Sequence, residues 1–102
     1  MEIRTIATFV RIAELKSFSR AARQLGYSQS AVTMQMKQLE EELQVPLFER
    51  VGKGIALTQT GERLLPKALE LLAAARALQE TTRPPLEVTG KLRVGTAESL
   101  LI

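Results

Sequence analysis

Three residues, Gly26-Tyr27-Ser28, separate two runs of helical period, and this short interval constrains the chain more than any other feature. Upstream, Ser17 and Ser19 each offer a side-chain oxygen as an N-cap, and Ala21, Ala22 and Leu25 form a short apolar face that ends at Gly26. Downstream, Ser28 is an N-cap candidate, and Val32, Met36, Leu39 and Leu43 recur at steps of four, three and four until Pro46 stops the pattern. Two helices joined by a turn of three or four residues containing glycine form a helix-turn-helix unit.

The flanking segments complete a recognisable plan. Ile3, Ile6, Val10 and Ala13 share a stripe, with Phe9 beside it, and predict a first helix from Ile3 to about Lys16. After Pro46, the strand-like runs Leu47-Phe48-Glu49-Arg50 and Ile55-Ala56-Leu57-Thr58 flank Val51-Gly52-Lys53-Gly54 and predict a β-hairpin, placed as a wing. Thr58 or Thr60 is expected to cap a fourth helix running to about Thr82. In it Leu64, Ala68, Leu71, Ala75 and Leu78 alternate steps of four and three, widened by Leu65, Leu69 and Leu72. One helix cannot bury such a seam alone, so a homodimer through this helix is expected. Pro66 removes one hydrogen bond near the first turns and is expected to bend the helix rather than end it.

Arg83-Pro84-Pro85 is expected to terminate the helix, with a hinge over 83–90. Lys91 to Thr96 reads as a strand, and Ala97 to Ile102 as the start of a helix. A lone strand has no sheet to join, so residues 91–102 are expected to begin a second domain that this chain lacks. The fold class that results is mainly α: a winged helix-turn-helix of three helices plus a hairpin over residues 1–60, then a long helix over 59–82.

Composition excludes several functions. There is no histidine and no cysteine, which removes the common general base, the disulfide framework and the usual metal ligands. Every acidic residue is a glutamate, and nothing in sequence gives any pair of them an apolar pocket to shift a pKa. No catalytic residue, cofactor or metal is therefore expected. The longest apolar stretch, Leu69 to Ala75, is interrupted by Glu70 and is far short of the roughly 18 residues that span a bilayer. Met1-Glu2-Ile3-Arg4 does not lead from a basic region into an apolar run, so neither a signal peptide nor a membrane partner is expected and the location is read as cytoplasmic.

The net charge is +3 and the pI about 9.7, a balance that hints at nucleic acid without requiring it. Placement is more telling. On the third helix Ser30, Thr33, Met34 and Lys37 fall roughly opposite the apolar stripe, with Gln29 at the leading turn. Gln29 can pair with adenine in two hydrogen bonds, Ser30 and Thr33 are adaptable donors and acceptors, and the Thr33 methyl or Met34 can touch a thymine methyl. Lys37, Arg20, Arg23 and Arg50 are candidates for DNA phosphate contacts. Lys53, at the wing tip, is a candidate for the minor groove or an ordinary surface lysine. Ser17, Ser19, Ser28 and Thr58 are candidates for caps and for phosphate contacts at helix starts. Glu40-Glu41-Glu42 reads as a solvated face pointing away from a duplex.

Taken in series, Phe18-Ser19-Arg20-Ala21-Ala22-Arg23-Gln24-Leu25, Ser28-Gln29-Ser30-Ala31-Val32-Thr33, Leu39-Glu40, Leu47-Phe48-Glu49-Arg50 and Leu57-Thr58-Gln59-Thr60-Gly61 resemble the LysR-type transcriptional regulators over residues 1 to about 95. The resemblance implies an N-terminal winged helix-turn-helix, a linker helix that pairs subunits, a hinge and a C-terminal effector-binding domain, whose first strand Gly90 to Gly95 is similar to. It implies base contacts from Gln29, Ser30, Thr33 and Met34 and a wing-tip cation at Lys53. Members often carry proline at the place of Ser30, serine at Thr33, arginine or another polar residue at Met34, and arginine at Lys53. The expected partners are double-stranded DNA, a second copy of the chain and RNA polymerase, with tetramers of the full-length protein and a small-molecule effector bound only by the missing domain.

Two other classes compete with a dimeric transcription regulator at a dyad-symmetric site. A winged-helix module that meets another protein would carry apolar or acidic side chains at positions 29, 30, 33 and 37, where this chain has Gln, Ser, Thr and Lys. A purely structural coiled-coil dimer would have no use for a cation at a wing tip.

Overall fold

The computed structural model describes residues 1–82, so the expected hinge over 83–90 and the expected second-domain start over 91–102 lie outside the described residues. The elements run α1 (Ile3–Leu15), α2 (Phe18–Leu25), α3 (Gln29–Leu43), β1 (Phe48–Val51), β2 (Gly54–Leu57) and α4 (Gln59–Thr81). This is the expected winged helix-turn-helix followed by a long helix.

The open choices of cap resolve to Ser17, Ser28 and Thr58, whose side-chain oxygens accept from the backbone N–H groups of Arg20, Ala31 and Gly61. Each satisfies one of the donors that a helix start leaves unpaired, a contribution of about 1 kcal/mol. Ser19 and Thr60 lie inside the first turns instead. Despite Pro66, α4 continues through to Thr81.

α1 is the hub, packed against α2, α3 and α4. For that reason its buried face is wider than the expected stripe: Ile6, Phe9, Val10 and Ala13 are buried, but so are Ile12 and Thr8, whereas Ile3 is 50% exposed. Thr8 is tolerated inside because its hydroxyl donates to the Arg4 carbonyl at 3.1 Å. Phe9, Ile12, Val32, Leu39 and Leu47 form the fully enclosed centre, and burying an apolar side chain of this size stabilises by about 1.5–3 kcal/mol.

The hairpin is antiparallel with Phe48 opposite Leu57 and Val51 opposite Gly54. Both strands therefore sit one residue away from the expected positions, and the tip is Gly52-Lys53 rather than four residues. The reason lies at the hairpin's base. Leu47 is wholly buried, its N–H donates to Glu40 and its carbonyl accepts from Thr58 N–H, so Leu47 and Thr58 form a joint rather than strand ends. At the tip Gly52 has φ +59°, the positive value that the first central residue of a two-residue type II′ turn requires. Phe48 keys the wing to the domain: its ring lies 5.6 Å from Phe9 and 5.4 Å, edge-on, from Phe18. Aromatic pairs at such separations add about 0.5–1.5 kcal/mol beyond their buried area.

Candidate nucleic-acid interface

A groove of about 650 Å³ opens between the start of α2, one flank of α3 and the wing. Each wall follows from local structure. Ser17 and Ser19 come from the first turn of α2, where the two hydroxyl oxygens lie 3.2 Å apart. Gln29, Thr33 and Lys37 come from α3 at steps of four, which puts them in one row along its exposed side. Arg50 and Lys53 come from the wing. These seven expected residues are thus gathered from three elements into one concavity.

Others stand apart. Ser30 and Met34, the latter 55% exposed, lie on α3 but do not line the groove. Arg20 and Arg23 are exposed on α2 and Ser28 at the head of α3, also off the groove. Ser28 Oγ lies 3.3 Å from Ser30 Oγ, so the start of α3 repeats the paired hydroxyls of α2. Thr58 is half-buried and its hydroxyl is engaged twice, donating to the Pro46 carbonyl at 2.8 Å and accepting from Gly61 N–H at 3.0 Å. Its side chain closes the corner between wing and α4, which leaves little for a phosphate.

Three charged groove residues, Lys16, Glu40 and Glu49, escape sequence reasoning. Lys16, the residue that ends α1, lines the groove beside Ser17. Glu40 also lines it, and this corrects the expectation that Glu40-Glu41-Glu42 is wholly a solvated face. Glu40 is half-buried and its Oε2 accepts from the N–H groups of Leu47 at 2.7 Å and Phe48 at 3.3 Å, while Glu41 and Glu42 remain exposed. The acceptor is needed because α3 ends at Leu43 with Gln44 left-handed, and the amides of the connection to the wing that follows must find partners outside a helix. The Leu39-Glu40 pair was the available signal, but the amides it serves lie seven and eight residues further on.

The charge pattern of the groove is distinctive. Lys16, Lys37, Arg50 and Lys53 face it together with Glu40 and Glu49. Among the described residues, the ion pairs are Met1 with Glu42, Glu2 with Arg4, Arg11 with Glu14 and Lys67 with Glu70, so none of the four groove cations is neutralised by a described residue. Glu40, for its part, is turned to main-chain N–H groups.

The expected seam of α4 divides. Ala68 is buried at 3% exposure in the core of its own chain, and Leu64, Leu65 and Leu72 are half-buried against that core. Ala75 is half-buried, and Leu69, Leu71 and Leu78 are exposed at 45%, 39% and 67%. The sequence period cannot separate these two sets, because α1 fills part of the groove that a partner helix was expected to fill.

Residues 3–62 match the profile of the bacterial regulatory helix-turn-helix proteins, lysR family. The chain is similar to the HTH-type transcriptional regulator YwqM of Bacillus subtilis (strain 168), 40% identical over 97% of this chain and 34% of that protein. It is also similar to the HTH-type transcriptional regulator DgdR of Burkholderia cepacia, 49% identical over 71% of this chain and 24% of that protein. It spans about a third of the length of relatives such as YwqM. Among solved structures, the DNA-bound DNA-binding domain of CbnR superposes with a TM-score of 0.77 at 37% identity, covering 81% of this chain and 95% of that one. That of BenM on its benA site 1 DNA gives 0.76 at 33% identity, covering 80% and 92%. With more than half of its residues inside the family profile and its described residues superposing on members of the same class, the chain belongs to the lysR family of bacterial regulatory helix-turn-helix proteins.

Proposed function

We propose that the chain is the DNA-binding part of a transcription regulator, acting by binding alone and without catalysing a reaction. The observation that carries this reading is the groove: four cations that form no ion pair among the described residues face the same concavity as the polar row led by Gln29 and Thr33. A duplex supplies both complements, a ribbon of phosphates for the cations and hydrogen-bonding base edges for the row. The DNA complexes of CbnR and BenM support it.

In this reading the first turns of α3 enter the major groove, where Gln29, Ser30, Thr33 and Met34 meet base edges. Lys37 and Arg50 take phosphates, with Arg20, Arg23 and the serine hydroxyls of Ser17, Ser19 and Ser28 in supporting positions. Lys53 reaches the minor groove or the backbone; lysine lacks the planar fork of arginine, so its contact is a point charge. Two copies pair through the α4 face that α1 leaves open, centred on Leu71 and Leu78, and their two α3 helices meet the halves of a dyad-symmetric site. Residues 1–60 are the recognition unit, 59–82 the linker helix, 83–90 a hinge, and 91–102 lead into the effector-binding region of the longer protein. Effector, tetramer formation and contact with RNA polymerase belong to that longer protein.

The test is selection from a random duplex pool followed by titration across salt. A dyad-symmetric winner whose affinity falls steeply with salt is expected. Absence of enrichment from a folded chain would overturn the reading and turn attention to a protein partner for the same face.

A further inference from the structure

Three helices of this chain end in a residue of left-handed backbone conformation: Lys16 (φ 55°) after α1, Gly26 (φ 78°) after α2 and Gln44 (φ 61°) after α3. The conformation lets the terminal N–H reach back to the last carbonyls, and glycine adopts it without strain from Cβ. Gly26 therefore needs no further account. Gln44 uses its side chain at the helix end, where Nε2 donates to the Glu41 carbonyl at 2.8 Å. Lys16 is different: it is exposed, and among the described residues its side chain forms no hydrogen bond and no ion pair. A side chain that is disfavoured by its backbone and idle among the described residues points to a use outside them.

The surroundings say what that use is. Lys16 precedes Ser17, whose hydroxyl caps α2, and it shares the groove with Arg50 and Lys53 of the wing. A cation at the end of α1 gains something from the helix dipole. That gain does not explain why three more cations face the same concavity, where they outnumber the two carboxylates, Glu49 and a Glu40 already engaged by main-chain N–H groups, and where the excess of like charge is relieved by an anion from outside.

We propose that Lys16 is a phosphate-contacting residue, which holds a phosphodiester of a DNA strand running between the start of α2 and the wing. The proposal deepens the DNA-binding reading and rests on it. The contact is to backbone, so it adds affinity and salt dependence equally on every sequence and takes no part in base choice.

The 102-residue chain, Lys16→Gly, Lys16→Asn and Lys16→Arg are titrated across salt with two duplexes, one of random sequence and one taken from selection. Glycine and asparagine both accept the left-handed conformation, so neither threatens the end of α1. Both neutral variants are expected to melt no lower than the wild type and to lose about 0.9 per bound copy from the slope of log K against log salt, on both duplexes. Lys16→Arg is expected to keep the slope. If Lys16→Gly retains the wild-type slope, Lys16 does no more than end its helix and the proposal is overturned while DNA binding stands. If the wild type binds neither duplex at low salt, the DNA-binding reading fails and takes this inference with it.

Discussion

The α-carbon of Gly61, in the first turn of α4, lies against the main-chain carbonyl oxygen of Leu47, so close that any β-carbon there would overlap it and would also meet Leu57 Cδ2 at 3.0 Å. That carbonyl accepts the Thr58 N–H at 2.9 Å, so it cannot swing aside without breaking the joint between wing and linker helix. Gly61→Ala is therefore expected to destabilise the domain by about 1–3 kcal/mol, as overpacking against fixed backbone does. Urea denaturation of the two chains measures it, and an unchanged midpoint would show that α4 shifts freely.

Glu40 holds the same joint through the N–H groups of Leu47 and Phe48. Removing an ionised acceptor leaves the Leu47 and Phe48 amides to find new partners in a half-buried setting, so Glu40→Ala is expected to cost about 1.5–3 kcal/mol and Glu40→Gln less. Glu41→Ala, on an exposed side chain, serves as the control and is expected to leave stability within about 0.5 kcal/mol of the wild type.

Within the groove, the proposed function gives Gln29 and Lys37 different tasks although they stand on one row. Gln29→Ala is expected to relax preference at one base position of each half-site by roughly tenfold to a hundredfold, and Lys37→Ala to weaken all duplexes alike and lower the salt slope by about one per bound copy. Titration of the selected duplex and its single-base variants separates the two; equal losses on every duplex from Gln29→Ala would move Gln29 to the backbone class.

The linker helix offers a paired test. Leu71 is exposed, so Leu71→Asp is expected to leave a folded chain that sediments as a monomer, the charge having been placed in the proposed interface between copies. Ala68 is buried within its own chain, so Ala68→Asp is expected to unfold the domain itself, which circular dichroism reports. A folded Leu71→Asp chain that remains a dimer would remove Leu71 from the interface.

Helix positions, their caps and the existence of a wing were legible in the order of residues, because each rests on a period or a cap within one or two turns of chain. Val32, Met36 and Leu39 are buried as their spacing predicts, and Ser17, Ser28 and Thr58 cap as their chemistry allows. The polar row of α3 was visible for the same reason.

What the tertiary structure alone decided are matters of relative placement. It put Glu40 on amides that lie beyond Pro46, shortened the wing tip to Gly52-Lys53, and brought Lys16 into a groove with cations from α3 and the wing. It also divided the apolar stripe of α4 between α1 and open solvent. Residue spacing specifies which side chains share a face. It does not specify which neighbour covers that face, because that depends on where elements distant in sequence come to rest once they compete for the same buried surface.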